Sequence, residues 1–242
     1  MRPARIAELL QPFLQEANDQ RPTTNDPSDN EALYQHISTY IDILLRWNAR
    51  INLTAIRDPE EIVTRHFGES LFAASHLFPK VYPVSPVPPV VKGVDVDLAN
   101  DQRPTTNDRV ADLGSGAGFP GIPIKLWDPN IALTLIESNQ KKATFLREVA
   151  RALTLTDINI QNVRAQTLPP STFDVVTLRA VERLAEALPT AVTLLVPQGR
   201  LALLIASSQL EATRSTLPHL TWDPPLPIPQ SQSRLVLLGR LL

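Results

Sequence analysis

The chain is expected to fold as an α/β protein with a mainly parallel sheet, an N-terminal helical segment and a C-terminal antiparallel strand. Three observations lead there. From residue 109 onward, short apolar strands alternate with helical stretches; a glycine-rich turn follows the first strand; and the first 78 residues carry apolar side chains at helical spacing.

In the N-terminal segment, Leu33, Ile37, Tyr40, Ile41, Leu44, Leu45 and Trp47/Asn48 recur every three or four residues and predict a helix. After a break around Asn52 to Asp58, Pro59 opens another helix with Ile62, His66, Phe67 and Leu71 on one side. Beyond residue 108 the pattern changes. Val110 to Leu113 reads as a strand, followed by the glycine loop and a helix through Leu126. Ala132 to Ile136 is a second strand and Lys141 to Leu153 a helix. Strands are expected at Ile158 to Val163, Phe173 to Thr177 and Leu201 to Ala206, with a helix from Glu182 to Leu195 that contains Pro189. Arg234 to Leu238 follows a proline-rich turn and is expected to return antiparallel. Repeated βαβ units of this kind build a Rossmann-like sheet.

Two parts are therefore expected, a helical cap over 1–78 and an α/β part over 109–242. Between them, 79–108 forms a proline-rich insertion in which Pro83, Pro86, Pro88 and Pro89 oppose regular structure. The decapeptide ANDQRPTTND occurs twice, at Ala17 to Asp26 and Ala99 to Asp108. Two polar copies so far apart do not make a solenoid, and both are expected in surface loops that accept insertions.

Composition narrows the chemistry. The chain has 242 residues, 43% hydrophobic, which suits a packed globular protein. It has no cysteine, which removes disulfides, zinc-thiolate sites and thiol nucleophiles. Charged residues interrupt the first twenty positions, and no apolar run is long enough to span a bilayer, so a cytoplasmic protein is expected. The net charge of −2 gives no global field for nucleic acid, so any RNA surface must be local.

The glycine loop reads Asp112-Leu-Gly114-Ser-Gly116-Ala-Gly118-Phe119-Pro-Gly121. Two readings compete. Gly116, Gly118 and Gly121 satisfy the dinucleotide pattern of a dehydrogenase. An acid followed by GxGxG is instead the form that holds S-adenosylmethionine, with loop amides on its carboxylate and Asp112 near its ammonium. Glu137, closing the second strand, can take ribose hydroxyls in either case. The residues left after the core are too few for a second nucleotide-binding half, which favours the methyltransferase. The plain alternative for Asp112 is a carboxylate that only caps the loop.

The acceptor can be narrowed as well. Methylation of pyrimidine C5 needs a cysteine nucleophile, absent here. Exocyclic-amine enzymes place an Asn/Asp-Pro-Pro-aromatic turn after the fourth strand. Asp223-Pro224-Pro225-Leu226 lies too near the C-terminus and lacks the aromatic, so it is read as a turn. The fourth strand instead leads into Thr177-Leu178-Arg179-Ala180. An arginine there suits an acceptor surrounded by phosphates that has no proton to lose, such as guanine N7. The plain alternative for Arg179 is a surface ion pair with Glu182.

Several motifs then align in order: Trp47-Asn48-Ala-Arg-Ile51-Asn52-Leu53-Thr54; Arg65-His66-Phe67 with Ser70-Leu71; the loop through Pro123; Lys141 with Phe145-Leu146-Arg147; and Phe173-Asp174-Val175-Val176 with Arg179-Ala180. Over roughly Tyr34 to Leu204, outside the insertion, the chain resembles the RsmG (GidB) family of 16S rRNA guanine-N7 methyltransferases. The resemblance implies a class I methyltransferase fold, S-adenosylmethionine as cofactor, and small-subunit rRNA or an assembling subunit as partner. It implies cofactor contacts at Gly114 and Phe119, at Glu137, Ser138 and Asn139, and at Ala165 and Gln166, with Arg179 at the reaction site. It implies RNA contacts at Asn52, Arg65, His66, Lys141, Lys142, Arg147 and Arg164, no metal, and a monomer. Gln166, Glu69 and Ile205-Ala206-Ser207 depart from the family pattern of an acid, an aspartate and a lysine-glycine pair. Against these roles, His66 reads plainly as a core histidine and Trp47 as packing. The cations of the Lys141 helix read plainly as a solvated face paired with Glu148. A small-molecule methyltransferase and a non-catalytic ribosome-associated factor are the competing functions.

Overall fold

The structure, a computed structural model, describes residues 1–19, 27–80, 108–180 and 184–242. Two helices lead, α1 (Pro3–Asp19) and α2 (Pro27–Asn48). A continuous helical run follows, made of α3 (Pro59–Ile62), a π-helical turn (Val63–Gly68) and α4 (Glu69–Leu77). Asp58 caps its start by accepting from Glu61 N, and Pro59 takes the first position, where no amide hydrogen is needed. The α/β part comprises β1 (Arg109–Leu113), α5 (Gly121–Trp127), β2 (Ala132–Ile136), α6 (Gln140–Ala152), β3 (Ile158–Gln161) and β4 (Phe173–Arg179). It continues with α7 (Leu184–Leu194), β5 (Leu195–Ala206), α8 (Leu210–Thr216), β6 (Leu220–Trp222), β7 (Leu226–Pro227) and β8 (Arg234–Leu241).

The sheet order is β3-β2-β1-β4-β5-β8-β6, with β7 also on β8. Strands β1 to β5 are parallel, and β8 returns antiparallel to β5. The expected architecture is thus present. Several details differ from the sequence reading. Helix α1 was not anticipated, nor was α8. Strand β4 runs two residues further, to Arg179, and β5 begins earlier, at Leu195, past a left-handed Gln198. Ala17 to Asp19, the start of the first ANDQRPTTND copy, end helix α1 rather than lying in a loop. The rest of that copy, most of the 79–108 insertion and Glu182 lie outside the described residues.

Side-chain alternation across the strands divides the core. On one face, Val110, Leu133, Leu135, Val175 and Ala202 pack under α2, α5, α6 and the α3–α4 run, with Tyr40, Phe67, Leu71, Phe145 and Leu146 in the same cluster. On the other face, Ala111, Val176, Leu178, Leu201, Leu203 and Leu237 meet Leu188, Ala191 and Leu194 of α7. The described helices α1 to α4 therefore share one hydrophobic core with the sheet. The α3–α4 run crosses the first face, so that Arg65, His66 and Glu69 meet Arg179 at the carboxyl end of β4, the edge at which open α/β sheets bind ligands.

Candidate functional site

The turn after β1 is built around Asp112, which is fully buried. Its Oδ2 accepts from Gly121 N at 3.2 Å and its Oδ1 from Thr177 Oγ1 at 3.0 Å. Burial pushes its pKa up to about 7, against the lowering effect of those hydrogen bonds. Gly121 is needed for this contact, because a Cβ there would stand 2.8 Å from Asp112 Oδ2 and 2.6 Å from Leu135. Gly118 has φ +84° and no space for a Cβ, which would meet the Tyr40 hydroxyl and come within 2.8 Å of Ile122. Gly114 and Gly116 face outward at the carboxyl edge, and a Cβ on Gly116 would meet nothing closer than 3.7 Å. The amides of Gly114 and Ser115 donate to the Ile136 carbonyl, that of Gly116 to Glu137 and that of Gly118 to the Ser115 carbonyl. Asp112 is fully buried, so its expected direct contact with a ligand ammonium is corrected: the carboxylate caps the turn from beneath.

Glu137 ends β2 beside this turn and is nearly buried. Its Oε2 accepts from Gly116 N at 2.9 Å and its Oε1 from Asn139 N at 2.7 Å. Each oxygen keeps a further lone pair, so a ribose diol can still be received. Ser138 is exposed next to it. The Asn139 side chain accepts from Lys141 N and Lys142 N, so it caps α6. Ala165 lies in a short 3-10 turn after β3, half-buried, with Gln166 exposed beside it and Arg164 exposed before it. Lys141 and Lys142 begin α6 at this edge. Arg147 lies about 9 Å further down the helix, by its ordinary rise per residue. Glu148 does not pair with the cations of its own helix as expected. It accepts from Trp47 Nε1 at 2.9 Å and Arg46 Nη2 at 3.2 Å on α2.

On the cap side, Phe119 joins the loop to the helices. Its ring stacks on Tyr40 at 5.4 Å and on His66 at 4.7 Å, with the Phe67 ring edge-on at 5.1 Å. Tyr40 also donates from its hydroxyl to the Ala117 carbonyl. The Arg179 guanidinium lies 6.0 Å from the Phe119 ring centre. It donates to Glu69 Oε2 at 3.0 Å, to the Arg65 carbonyl at 2.6 Å and to His66 Nδ1 at 2.9 Å. The plain alternative of a surface ion pair is corrected in its position, since the Arg179 side chain is only 11% exposed; Glu182 lies outside the described residues. The partner of Arg179 is Glu69, whose side chain is only 2% exposed, because β4 carries Arg179 under the α3–α4 run.

A guanidinium can only donate, so His66 Nδ1 is the acceptor and the imidazole proton sits on Nε2, 2.8 Å from Thr54 Oγ1. Burial, then the positive charge of Arg179, brings the pKa of His66 down to about 3. Thr54 is placed by Asn48, which accepts from Leu53 N and Thr54 N and donates to the Thr54 carbonyl. Asn52, the residue singled out from sequence, is exposed at the same turn.

The structure gathers Asp112, Gly114, Gly116, Gly118, Phe119, Glu137, His66, Arg65 and Arg179 around one carboxyl edge. Lys141, Lys142, Arg164 and Gln166 lie on its β2–β3 side, whereas Arg147 lies further along α6, exposed. Sequence reasoning missed Tyr40, Asn48, Thr54, Glu69 and Thr177 as site residues. Tyr40 was read as core and Thr54 only as part of a motif. A buried acid such as Glu69 has no local sequence signal, since only its distant partners reveal it.

The sequence profile of the family described as "GidB: rRNA small subunit methyltransferase G" matches residues 33–81 and 97–221. The chain is 36% identical over 194 residues to the "Ribosomal RNA small subunit methyltransferase G" of Xylella fastidiosa strain 9a5c, covering 79% of this chain and 78% of that protein. It is 37% identical over 163 residues to the protein of the same name from Xanthomonas campestris pv. campestris strain B100, covering 67% of this chain and 64% of that protein. Among solved structures, a ribosomal protein L11 methylase from Lactobacillus delbrueckii subsp. bulgaricus matches with a TM-score of 0.53 and 15% identity, over 74% of this chain and 79% of that one. That likeness shows a shared fold. With a profile spanning most of its length and relatives above a third identical, the chain belongs to the rRNA small subunit methyltransferase G (GidB) family.

Proposed function

We propose that this chain transfers the methyl group of S-adenosylmethionine to N7 of a guanosine in 16S rRNA. It would act as a monomer in the cytoplasm on a small subunit or its assembly intermediate. Family membership supports the substrate class, and one feature of the site supports the acceptor atom. Among the described residues, neither His66, Asp112 nor Glu69, the titratable groups nearest Arg179, is placed to take a proton. Both nitrogens of His66 are engaged and its pKa is about 3. Asp112 is sealed beneath the loop, and Glu69 is held by arginines. Guanine N7 presents a lone pair and loses no proton on attack, so alignment suffices.

When bound, the cofactor supplies the electrophilic methyl. The chain's own residues then have distinct tasks. The open backbone edge of the Gly114 to Gly118 turn and the carboxylate of Glu137 receive and orient the cofactor, while Asp112, sealed beneath the turn, fixes its shape through Gly121 and Thr177. Ser138, Asn139, Ala165 and Gln166 border its adenine side. Arg179, fixed by Glu69 and His66 against Phe119, aligns the acceptor and answers the phosphate charge that comes with it. Residues 1–78 act as a cap over this edge, and Asn52, Lys141, Lys142, Arg147 and Arg164 offer further RNA contacts.

The test is methyl transfer from labelled S-adenosylmethionine to small subunits from cells lacking this protein, with mapping of N7-methylguanosine. The intact chain should restore one such nucleotide, and Arg179→Ala should lower the rate by about 10²-fold. An unchanged methylation map in cells without the protein refutes the reading. Complementation by Arg179→Ala without methylation would instead favour a binding factor.

A further inference from the structure

Glu69 is surrounded by three arginines from three separate elements. Arg179 Nη2 lies 3.0 Å from its Oε2, Arg234 Nη1 lies 2.5 Å from its Oε1, and Arg65 Nε lies 3.4 Å from the same Oε1. Arg65 belongs to the π turn, Arg179 ends β4 and Arg234 begins β8. Strand alternation puts Arg179 and Arg234 on the cap face of the sheet, with Thr177 and Val236.

Two properties separate this cluster from an ordinary ion-pair network. Its cations outnumber its acids: three guanidiniums face buried Glu69 and half-exposed Glu61, which lies 3.6 Å from Arg65. Asp112 is the next carboxylate towards Arg179, and it is sealed under the loop by Thr177 and Gly121. The cluster's hydrogen bonding is also incomplete. Arg65 Nε is shut off from solvent yet meets Glu69 Oε1 at 3.4 Å without hydrogen-bond alignment. A buried guanidinium donor left in that state is open to a further anionic acceptor. Exposure is graded from 11% at Arg179 through 22% at Arg234 to 43% at Arg65, so the cluster opens outward.

We propose that Arg65, Arg179 and Arg234, gathered by Glu69, form a seat for one backbone phosphodiester of the substrate RNA, next to the reacting guanosine. This rests on the methyltransferase reading above. Planar guanidiniums converging from different sides suit a phosphodiester's two free oxygens. The other anion at hand is the methionine carboxylate of the cofactor, and the sheet order argues against it. The glycine turn follows β1 and Glu137 follows β2, whereas the seat spans β4, β5 and β8 on the opposite side. Arg234 stands three strands from β1, about 14 Å at ordinary strand spacing. The seat therefore lies where the acceptor enters.

The test measures binding of purified 16S rRNA across a potassium chloride series, alongside calorimetry with S-adenosylhomocysteine, for the intact chain, Arg234→Gln, Arg234→Lys and Arg65→Gln. Each glutamine variant should weaken RNA binding about tenfold at 0.1 M salt. Each should also flatten the slope of log K against log salt by roughly 0.7 to 0.9, one phosphate's worth. Arg234→Lys should keep the slope while losing part of the affinity, and S-adenosylhomocysteine should bind all variants within about twofold, which also shows that they are folded. If Arg234→Gln does not fold, Arg65→Gln, at a half-exposed position, carries the same expectation. Unchanged RNA slopes in the glutamine variants overturn the seat. So does lost S-adenosylhomocysteine affinity with intact RNA binding, since the anion would then be the cofactor's. An intact chain that neither binds 16S rRNA nor methylates small subunits removes the functional reading itself.

Discussion

Two buried titratable residues at the site push stability in opposite directions with pH. His66 is held neutral, with its pKa depressed to about 3. Unfolding restores its affinity for protons, so its contribution is complete above the ordinary histidine range near 6.5 and is lost as pH falls toward 3. Asp112 has its pKa raised to about 7 from 3.8. The folded state holds its proton more tightly, so its contribution is greatest below pH 3.8 and disappears as pH rises to 7. Between pH 4 and 6.5 the two slopes therefore oppose each other. Thermal melts should show this through single variants: His66→Gln should remove the acid-side loss, and Asp112→Asn should leave a profile that rises more steeply with pH. A third residue-scale prediction concerns Asn48, whose amide makes three hydrogen bonds to Leu53 and Thr54. Asn48→Ala should cost roughly 2 kcal/mol in denaturant unfolding. It should also lower methyl transfer, because Thr54 no longer fixes the His66 ring.

At the scale of elements, the cap and the glycine loop meet through aromatic contacts. Tyr40 of α2 and His66 of the π turn flank Phe119 on the loop. The π turn, one residue wider than an α turn, leaves the Arg65 carbonyl to accept from Arg179. Gly118→Ala would drive a methyl group into Tyr40 and Ile122 at a left-handed position. It should weaken S-adenosylhomocysteine binding at least tenfold by calorimetry, while Gly116→Ala, with open space above it but a left-handed φ of +55°, should lower stability as well as intrude on the cofactor. On the other seam, α2 is tied to α6 by the Trp47 to Glu148 hydrogen bond and by the Trp47 edge against Phe145. Trp47→Phe keeps most of the packing and loses the hydrogen bond, so a drop of about 1 kcal/mol is expected.

Over the whole molecule, both ends of the proline-rich segment converge on one guanidinium. Arg200 donates to the Leu77 carbonyl at 2.6 Å and to Asp108 Oδ2 at 2.8 Å, and Trp127 Nε1 donates to the Phe78 carbonyl at 2.9 Å. A few residues can therefore bridge the gap. Replacing 81–107 with a short glycine-serine linker should leave the melting temperature and S-adenosylhomocysteine affinity close to those of the intact chain. A collapse of either would mean that the segment contributes to the core or the site. No helix among the described residues is long and apolar enough to cross a membrane.

The linear pattern was enough to determine the alternation of β1 to β5 with their helices, the returning β8, and the loop after β1, because these follow from periodicity and glycine placement within a dozen residues. Helix α1 escaped because Pro12 and scattered charges blur its apolar stripe, and α8 because seven residues are too few to show a period. The cofactor side of the site was legible for the same reason as the strands: its residues are neighbours in sequence. The acceptor side was not. Glu69, Arg179 and Arg234 are separated by more than fifty residues at each step, and nothing local marks an acid that will be buried among arginines. Only the packing of the α3–α4 run across β4 and β8 brings those charges together. Once water is excluded there, each group's role is set by its spatial neighbours.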